Sequence, residues 1–298
     1  MPLHTLSAHR KGLLLTSLGG FLLSFDIPLV RLGHGELWSV IGLRSIATFV
    51  VAVTVWTLIR RFTRARPPLV AGWHGALAGS LYGLATIGFL ASIYYTEAAN
   101  TVFILAFNPM FCALLAWIFL KERPSAATLI TMAVMIGGVA MIVGNSLSSG
   151  HMLGDGLAAF AALMLAAAIT VSRASGGALG FAPLVATVGP AAIAFSLALP
   201  QGFSIDNPWW ILLDGAVMMP LAFWCLATGP RYLTGAEVGM FYLLETILAP
   251  IWIWMIFAEV PGAMTLIGGL VLILALAGHS LWEMRARGEK ARRLALAA

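Results

Sequence analysis

Ten stretches of about twenty mostly apolar residues, divided by short turns that hold nearly all of the charge, restrict this 298-residue chain to a lipid solvent. The stretches run over approximately 12–31, 36–59, 69–94, 97–120, 125–146, 152–172, 181–201, 208–230, 234–257 and 262–283. Backbone groups left unpaired in hydrocarbon are costly, so each stretch is predicted to be a helix, which pairs its backbone internally. Composition agrees. The chain is 60% hydrophobic and only 10% charged, where a soluble domain carries roughly a quarter charged residues. The expected fold class is an all-α integral membrane protein with ten transmembrane helices. Arg10 and Lys11 precede the first stretch in the manner of a signal peptide, but the apolar run from Gly12 to about Val30 is long and no small-residue cleavage site follows. It reads as a retained first helix.

The positions of the charges set the expected orientation. With ten helices and an inside N-terminus, fifteen of the seventeen Lys and Arg residues fall on the inner side. They include Arg60, Arg61, Arg64, Arg66, Lys121, Arg123, Arg173, Arg231 and the basic tail at Arg285, Arg287, Lys290, Arg292 and Arg293. Arg31 alone faces outside, and Arg44 lies within a stretch. This positive-inside bias predicts cytoplasmic termini and an inner (plasma) membrane location. The pI near 9.6 is therefore a topology signal. No basic stretch interleaved with aromatic residues is present to hold a phosphate backbone, so nucleic acid is not an expected partner.

The chain also repeats itself. Glu122 to Ile130 and Glu259 to Ile267 both read ExPxxxTLI, at an offset of 259 minus 122, or 137 residues. Thr96 and Ala98 recur as Thr234 and Ala236 at an offset of 138. At about 27 residues per helix and loop, 137 residues is close to five helices. An odd number turns the second copy upside down, so two inverted five-helix repeats are expected, residues 1–146 and 147–298, within one membrane domain. The short polar segment from Asn145 to Gly150 reads as the linker.

These features carry a resemblance. Arg44 in the second stretch, a Tyr/Thr–Ala–small run leading through the third and fourth stretches to Pro109, Glu122 with Pro124, and the second copy ending in Glu259 and Pro261 together resemble the EamA type of the drug/metabolite transporter superfamily. The resemblance implies ten helices with both ends in the cytoplasm, and export of amino acids, including aromatic ones, or of other small metabolites. The halves have diverged: Pro250 is four residues out of step with Pro109, and no Arg in the seventh stretch repeats Arg44.

Ionisable groups inside spans are costly and mark pathways. Asp26 and Arg44, at similar outer-half depths, are expected to pair as a structural or coupling ion pair. Asp214 is expected near an outer mouth of the eighth helix. Glu245 lies near the middle of the ninth, on one face with Phe241 and Tyr242. Pro250 removes a backbone bond beside it, so a bend is expected there. The carboxylate suits the amine of a zwitterion or a proton, and equally the capping of freed backbone groups. Asn100, Phe107 and Asn108 before Pro109 form the counterpart in the fourth helix, and Tyr82, Trp224 and Tyr242 have the shape to stack on a flat side chain. These seven residues (Tyr82, Asn100, Phe107, Asn108, Trp224, Tyr242 and Glu245) are the candidate substrate contacts. Trp38, Trp209, Trp210 and Trp282 read as interfacial anchors, and His74 and His279 as interfacial residues.

Other functions lack their signatures. Cys112 and Cys225 stand apart in apolar runs, with no CxxC or Cys/His cluster, so no metal or other cofactor is expected. No GxSxG or HExxH motif provides catalytic residues, and no P-loop provides ATP. The expected partners are the bilayer and a small-molecule substrate, and a monomer suffices.

Overall fold

The computed structural model describes residues 8–63, 67–175, 181–228, 232–233 and 235–297. Arg64, Arg66, Arg231 and Thr234 lie outside the described residues, as do the side chains of Tyr242, Arg287, Lys290, Arg292 and Arg293. In chain order the helices are α1 (Ala8–Leu23), α2 (Asp26–Leu32), α3 (Leu37–Phe62), α4 (Gly72–Tyr95), α5 (Ala98–Leu105), α6 (Asn108–Leu120) and α7 (Ala126–Ser149). Then come α8 (Met152–Ala174), α9 (Ala182–Val185), α10 (Val188–Gln201), α11 (Pro208–Leu213), a π-helical turn (Asp214–Met218), α12 (Met219–Thr228), α13 (Gly235–Phe257) and α14 (Ala263–Ala297).

Among the described residues, nine helices are long and apolar enough to cross a membrane. They follow the first eight and the last of the apolar stretches in the sequence. In the ninth stretch α13 runs for 23 residues, and its described apolar part is Leu243–Phe257.

Where the helices break has local causes. Pro109 cannot donate to the Leu105 carbonyl, and the fourth span divides there into α5 and α6. In the seventh span the break at Ala186–Thr187 lies just before Pro190. In the first it falls at Ser24–Phe25, where Ser24 Oγ donates to the Phe21 carbonyl at 2.6 Å. Trp252 Nε1 donates to the same Ser24 Oγ at 3.0 Å, and the Trp252 ring stacks on Phe25 with centroids 5.0 Å apart. Around Pro250, where a bend is expected, the helical residues of α13 run on unbroken. One missing bond is tolerated there, leaving the Thr246 carbonyl without its i+4 donor. Two other boundaries differ. The expected linker from Asn145 is helical through Ser149, and Gly150, with φ +80°, and His151 make the connection to α8. The last helix continues past 283 to Ala297.

The helices pack in a pattern with its own regularity. The most extensive contacts are α4 with α8, α7 with α14, α3 with α10, α1 with α12, α6 with α8 and α1 with α13. Numbered by the apolar stretches of the sequence in which they fall, these are 3 with 6, 5 with 10, 2 with 7, 1 with 8, 4 with 6 and 1 with 9. Moving every number by five returns the same set. The two ExP turns lie at opposite ends of the bundle. Glu259 touches the start of α5 at the Ala98 amide, while Glu122 follows the end of α6, one full span away.

Small residues set the close crossing of α7 and α14. A Cβ built on Gly268 would lie 2.6 Å from the Gly138 carbonyl oxygen and 2.8 Å from Ile142. One built on Gly137 meets nothing within 4 Å. Gly268→Val is therefore expected to lower the free energy of unfolding by about 1–3 kcal/mol through overpacking, and Gly137→Ala to change it by less than about 0.5 kcal/mol. Equal thermal shifts for the two variants in detergent would contradict this crossing.

Candidate functional site

Three helices bring their ionisable residues to one buried point. Arg44, two turns into α3, donates from Nη2 to both carboxylate oxygens of Asp26 at 2.8 Å and from Nε to Asp214 Oδ2 at 2.5 Å. Asp26 opens α2 directly after the break in the first span. Asp214 opens the π-helical turn, whose extra residue turns its carboxylate toward α3. Its fully buried position corrects the expected outer mouth. Gly215 follows because α3 passes against it: a Cβ there would lie 2.5 Å from the Arg44 carbonyl. Thr48 Oγ1 donates to the Gly215 carbonyl at 2.7 Å, which fixes the turn against α3. Two carboxylates thus share one guanidinium, one through Nε and the other through Nη2.

Beside this triad lies a cavity of about 970 Å³. It runs from the Glu122–Arg173 pair to Asp26 and Arg44, with walls from both halves of the chain. Glu122 and Arg173, at 2.7 Å, are about half exposed and mark the mouth. The other end is shut. The Gly35–Ile205 bridge, the amide of Glu36 on the Ser204 carbonyl at 3.0 Å, the Arg31–Glu259 ion pair and a cluster including Ile27, Val30, Val40, Ile41 and Ile211 lie beyond the floor.

The sequence-derived candidates divide between this cavity and other places. Tyr82, Asn108 and Glu245 line it. Asn108 Nδ2 also donates to the Ala162 carbonyl at 2.8 Å, which ties α6 to α8. No bond from a protein group to the Glu245 side chain is present among the described residues. Asn100 is buried off the wall: its Nδ2 lies 3.2 Å from Thr96 Oγ1 and 3.3 Å from Asp155 Oδ1, and its Oδ1 accepts from Thr265 Oγ1 at 2.9 Å. Phe107 packs edge-on against Phe111 beside the cluster of α7 and α14, off the cavity wall. Trp224 is 57% exposed on the outside of α12. For Tyr242 the structure gives the backbone of α13 and nothing further. His279 and Trp282, read as interfacial, line the mouth.

Several wall residues carried no mark in the sequence. Phe89 and Phe223 are ordinary aromatic residues in apolar helices, and Leu105 and Thr246 line the wall next to Ala106 and Glu245. Leu105 and Thr246 are the two residues whose carbonyls Pro109 and Pro250 leave without a donor. That signal was available in the spacing of the prolines.

The wall is mostly apolar, with the carboxylates of Asp26 and Glu245 among its few charged groups. Such a chamber holds a small molecule by its apolar body and orients it through a few polar groups. Among the described residues no group of three or more His, Cys, Asp or Glu has the arrangement to hold a metal.

Known proteins with the same fold were found by comparison. Residues 10–144 match the EamA-like transporter family. A solved crystal structure of a protein is similar over 91% of this chain and 97% of its own length, with a TM-score of 0.63 and 16% identity, a likeness of fold. The matched segment contains Asp26, Arg44, Tyr82, Asn108 and the first ExP turn. Residues 10–144 thus form an EamA-like transporter family domain of the drug/metabolite transporter superfamily, in a chain that crosses the membrane several times.

Proposed function

We propose that this chain is a secondary transporter of ten membrane helices, α13 being the ninth, arranged as two inverted repeats over residues 1–146 and 147–298. It exports amino acids, aromatic ones among them, or similar small metabolites across the inner membrane by alternating access. The cavity carries this reading: it is a chamber between the two halves, open at one end and shut at the other. The packing pattern that is unchanged by a shift of five spans, and the two ExP turns at opposite ends, support the inverted arrangement. The positive-inside bias supports a cytoplasmic Glu122 end and cytoplasmic termini.

In this reading Glu245 receives the substrate's amine, with the freed carbonyls of Leu105 and Thr246 as further acceptors. Tyr82, Phe89 and Phe223 receive its apolar or aromatic body. A substrate gradient or a proton supplies the energy. One observation favours a second reading, an amine or drug-like cation without a carboxylate. Arg44 is already held by two carboxylates, and Glu245 adds a third, so among the described residues the deep end carries more carboxylates than cations.

Counterflow into liposomes that hold the purified protein, with labelled amino acids and their decarboxylated amines, tests both. Accumulation of aromatic amino acids above protein-free liposomes is the expected result. Uptake of the amines alone selects the second reading, and uptake of neither rejects both.

A further inference from the structure

The repeated motif occupies two different environments. At the shut end, Glu259 holds the Arg31 guanidinium and accepts from the Ala98 amide at 3.4 Å, so the turn before α14 is joined to the first and fourth spans together. Six residues on, Thr265 is fully buried and donates to Asn100. Asn100 continues through Thr96 to Asp155, with Thr96 Oγ1 donating to Asp155 Oδ1 at 2.6 Å. The second-half turn is therefore docked on first-half residues and on α8.

At the open end the corresponding residues show no such docking among the described residues. Glu122 holds Arg173, at the end of the sixth span as Arg31 is at the end of the first. This pair is 52% and 51% exposed, against 26% and 23% for Glu259 and Arg31. Thr128, the counterpart of Thr265, bonds within its own turn to Ser125 at 2.9 Å, and both line the mouth. The position that repeats Ala98 is Ala236, in the first turn of α13. Equivalent glutamates and threonines thus differ in the same direction, docked at one face and exposed at the other.

We propose that the two ExPxxxT turns are alternating latches, one for each face of the transporter. The docked Glu259–Thr265 turn shuts its face while the Glu122–Thr128 turn is released, and the opposite state exchanges them. Glu122 then keeps Arg173 and takes the first turn of α13, as Glu259 now keeps Arg31 and takes the start of α5. Arg31, Glu259, Arg173 and Glu122 are positioning residues, since none of them contacts substrate in this scheme. The inference rests on the transporter reading and adds which residues hold each face closed.

The test uses the full-length protein in sealed membrane vesicles of both orientations, with Cys112 and Cys225 replaced by Ala. The reporter is Val102→Cys, which lines the cavity one turn from the shut face. A membrane-impermeant maleimide is applied from each side, and the ratio of labelling rates is read. Glu259→Gln is expected to move the ratio about fivefold toward the Glu259 face, and Glu122→Gln about fivefold toward the Glu122 face, the equilibrium factor of one weakened charge-assisted hydrogen bond to a helix-start amide. The exchanged pair Arg31→Glu with Glu259→Arg restores the ion pair but gives the Ala98 amide no acceptor at 259, so it is expected to keep the shifted ratio of Glu259→Gln. Two single variants that leave the ratio unmoved, or move it in the same direction, overturn the proposal. Where Glu259→Gln does not fold, Thr265→Val carries the same prediction with the same sign. Labelling needs no substrate. Silence in the counterflow assay therefore rejects the transport reading while the latches are judged separately, and an unmoved ratio in a protein that transports rejects the latches alone.

Discussion

Arg44→Gln is expected to lower the free energy of unfolding by about 3–5 kcal/mol, enough to prevent recovery of much of the protein from membranes. The reason is the stoichiometry of the triad. Arg44 is 4% exposed, and it neutralises Asp26 at 3% and Asp214 at 0%. Without the guanidinium, two buried carboxylates face each other with no cation among them, and desolvation and like-charge repulsion then act together. Asp26→Asn is expected to be much milder, about 1 kcal/mol, because Asp214 and Arg44 remain a matched pair and the amide still accepts one hydrogen bond. Arg44→Lys is not expected to rescue. A single ammonium does not span the two directions that Nε and Nη2 serve. Thermal unfolding in detergent, read together with counterflow, checks the series. An Arg44→Gln protein as stable as the parent would sink the structural account, and one that is less stable yet transports normally would show that the triad only holds α2, α3 and the π turn together.

Glu245→Gln is expected to behave in the opposite way. Transport falls about 10- to 100-fold, the worth of one charge-assisted hydrogen bond to the substrate, while stability changes by less than about 0.5 kcal/mol. Glu245 lines the cavity, and none of the described protein groups binds its carboxylate, so removing its charge breaks no pair among the described residues. Its neighbour Thr246 adds to the same patch of wall. Initial rates of counterflow and an unfolding curve on the same preparation separate the two effects. Normal transport by the variant would remove Glu245 from the recognition scheme, and lost transport with lost stability would assign it to packing.

The helices were legible because length and charge suffice to define them. A run of about twenty apolar residues between charged turns has one low-energy conformation in a bilayer. The doubled motif was legible for a related reason: Glu122 and Glu259 sit at turns between apolar runs, where a conspicuous pattern of charge and proline stands out. The site was only partly legible. Asp26, Arg44, Asp214 and Glu245 stood out as charges among apolar residues, and each is buried or lines the cavity. Tyr82 and Asn108 reached the wall, but Asn100, Phe107 and Trp224 did not, although all five are aromatic or amide residues within spans.

That division has a physical cause. In water the polar face of a helix reveals which side is buried. In a bilayer the lipid-facing side and the packed side are both apolar, so rotation about the helix axis leaves little trace in the residue pattern. Trp224 on the outside and Phe223 on the cavity wall, adjacent in sequence, differ by this rotation alone. The sequence by itself determined that the chain lies in a membrane, where its spans fall and that it carries a doubled motif. Only the tertiary structure decided that Asp214 shares Arg44 with Asp26 across 170 positions, which side chains see the cavity, and which of the two ExP turns is docked. Those outcomes depend on how helices turn and pack against one another, and energies so evenly matched are settled only when every helix is in place.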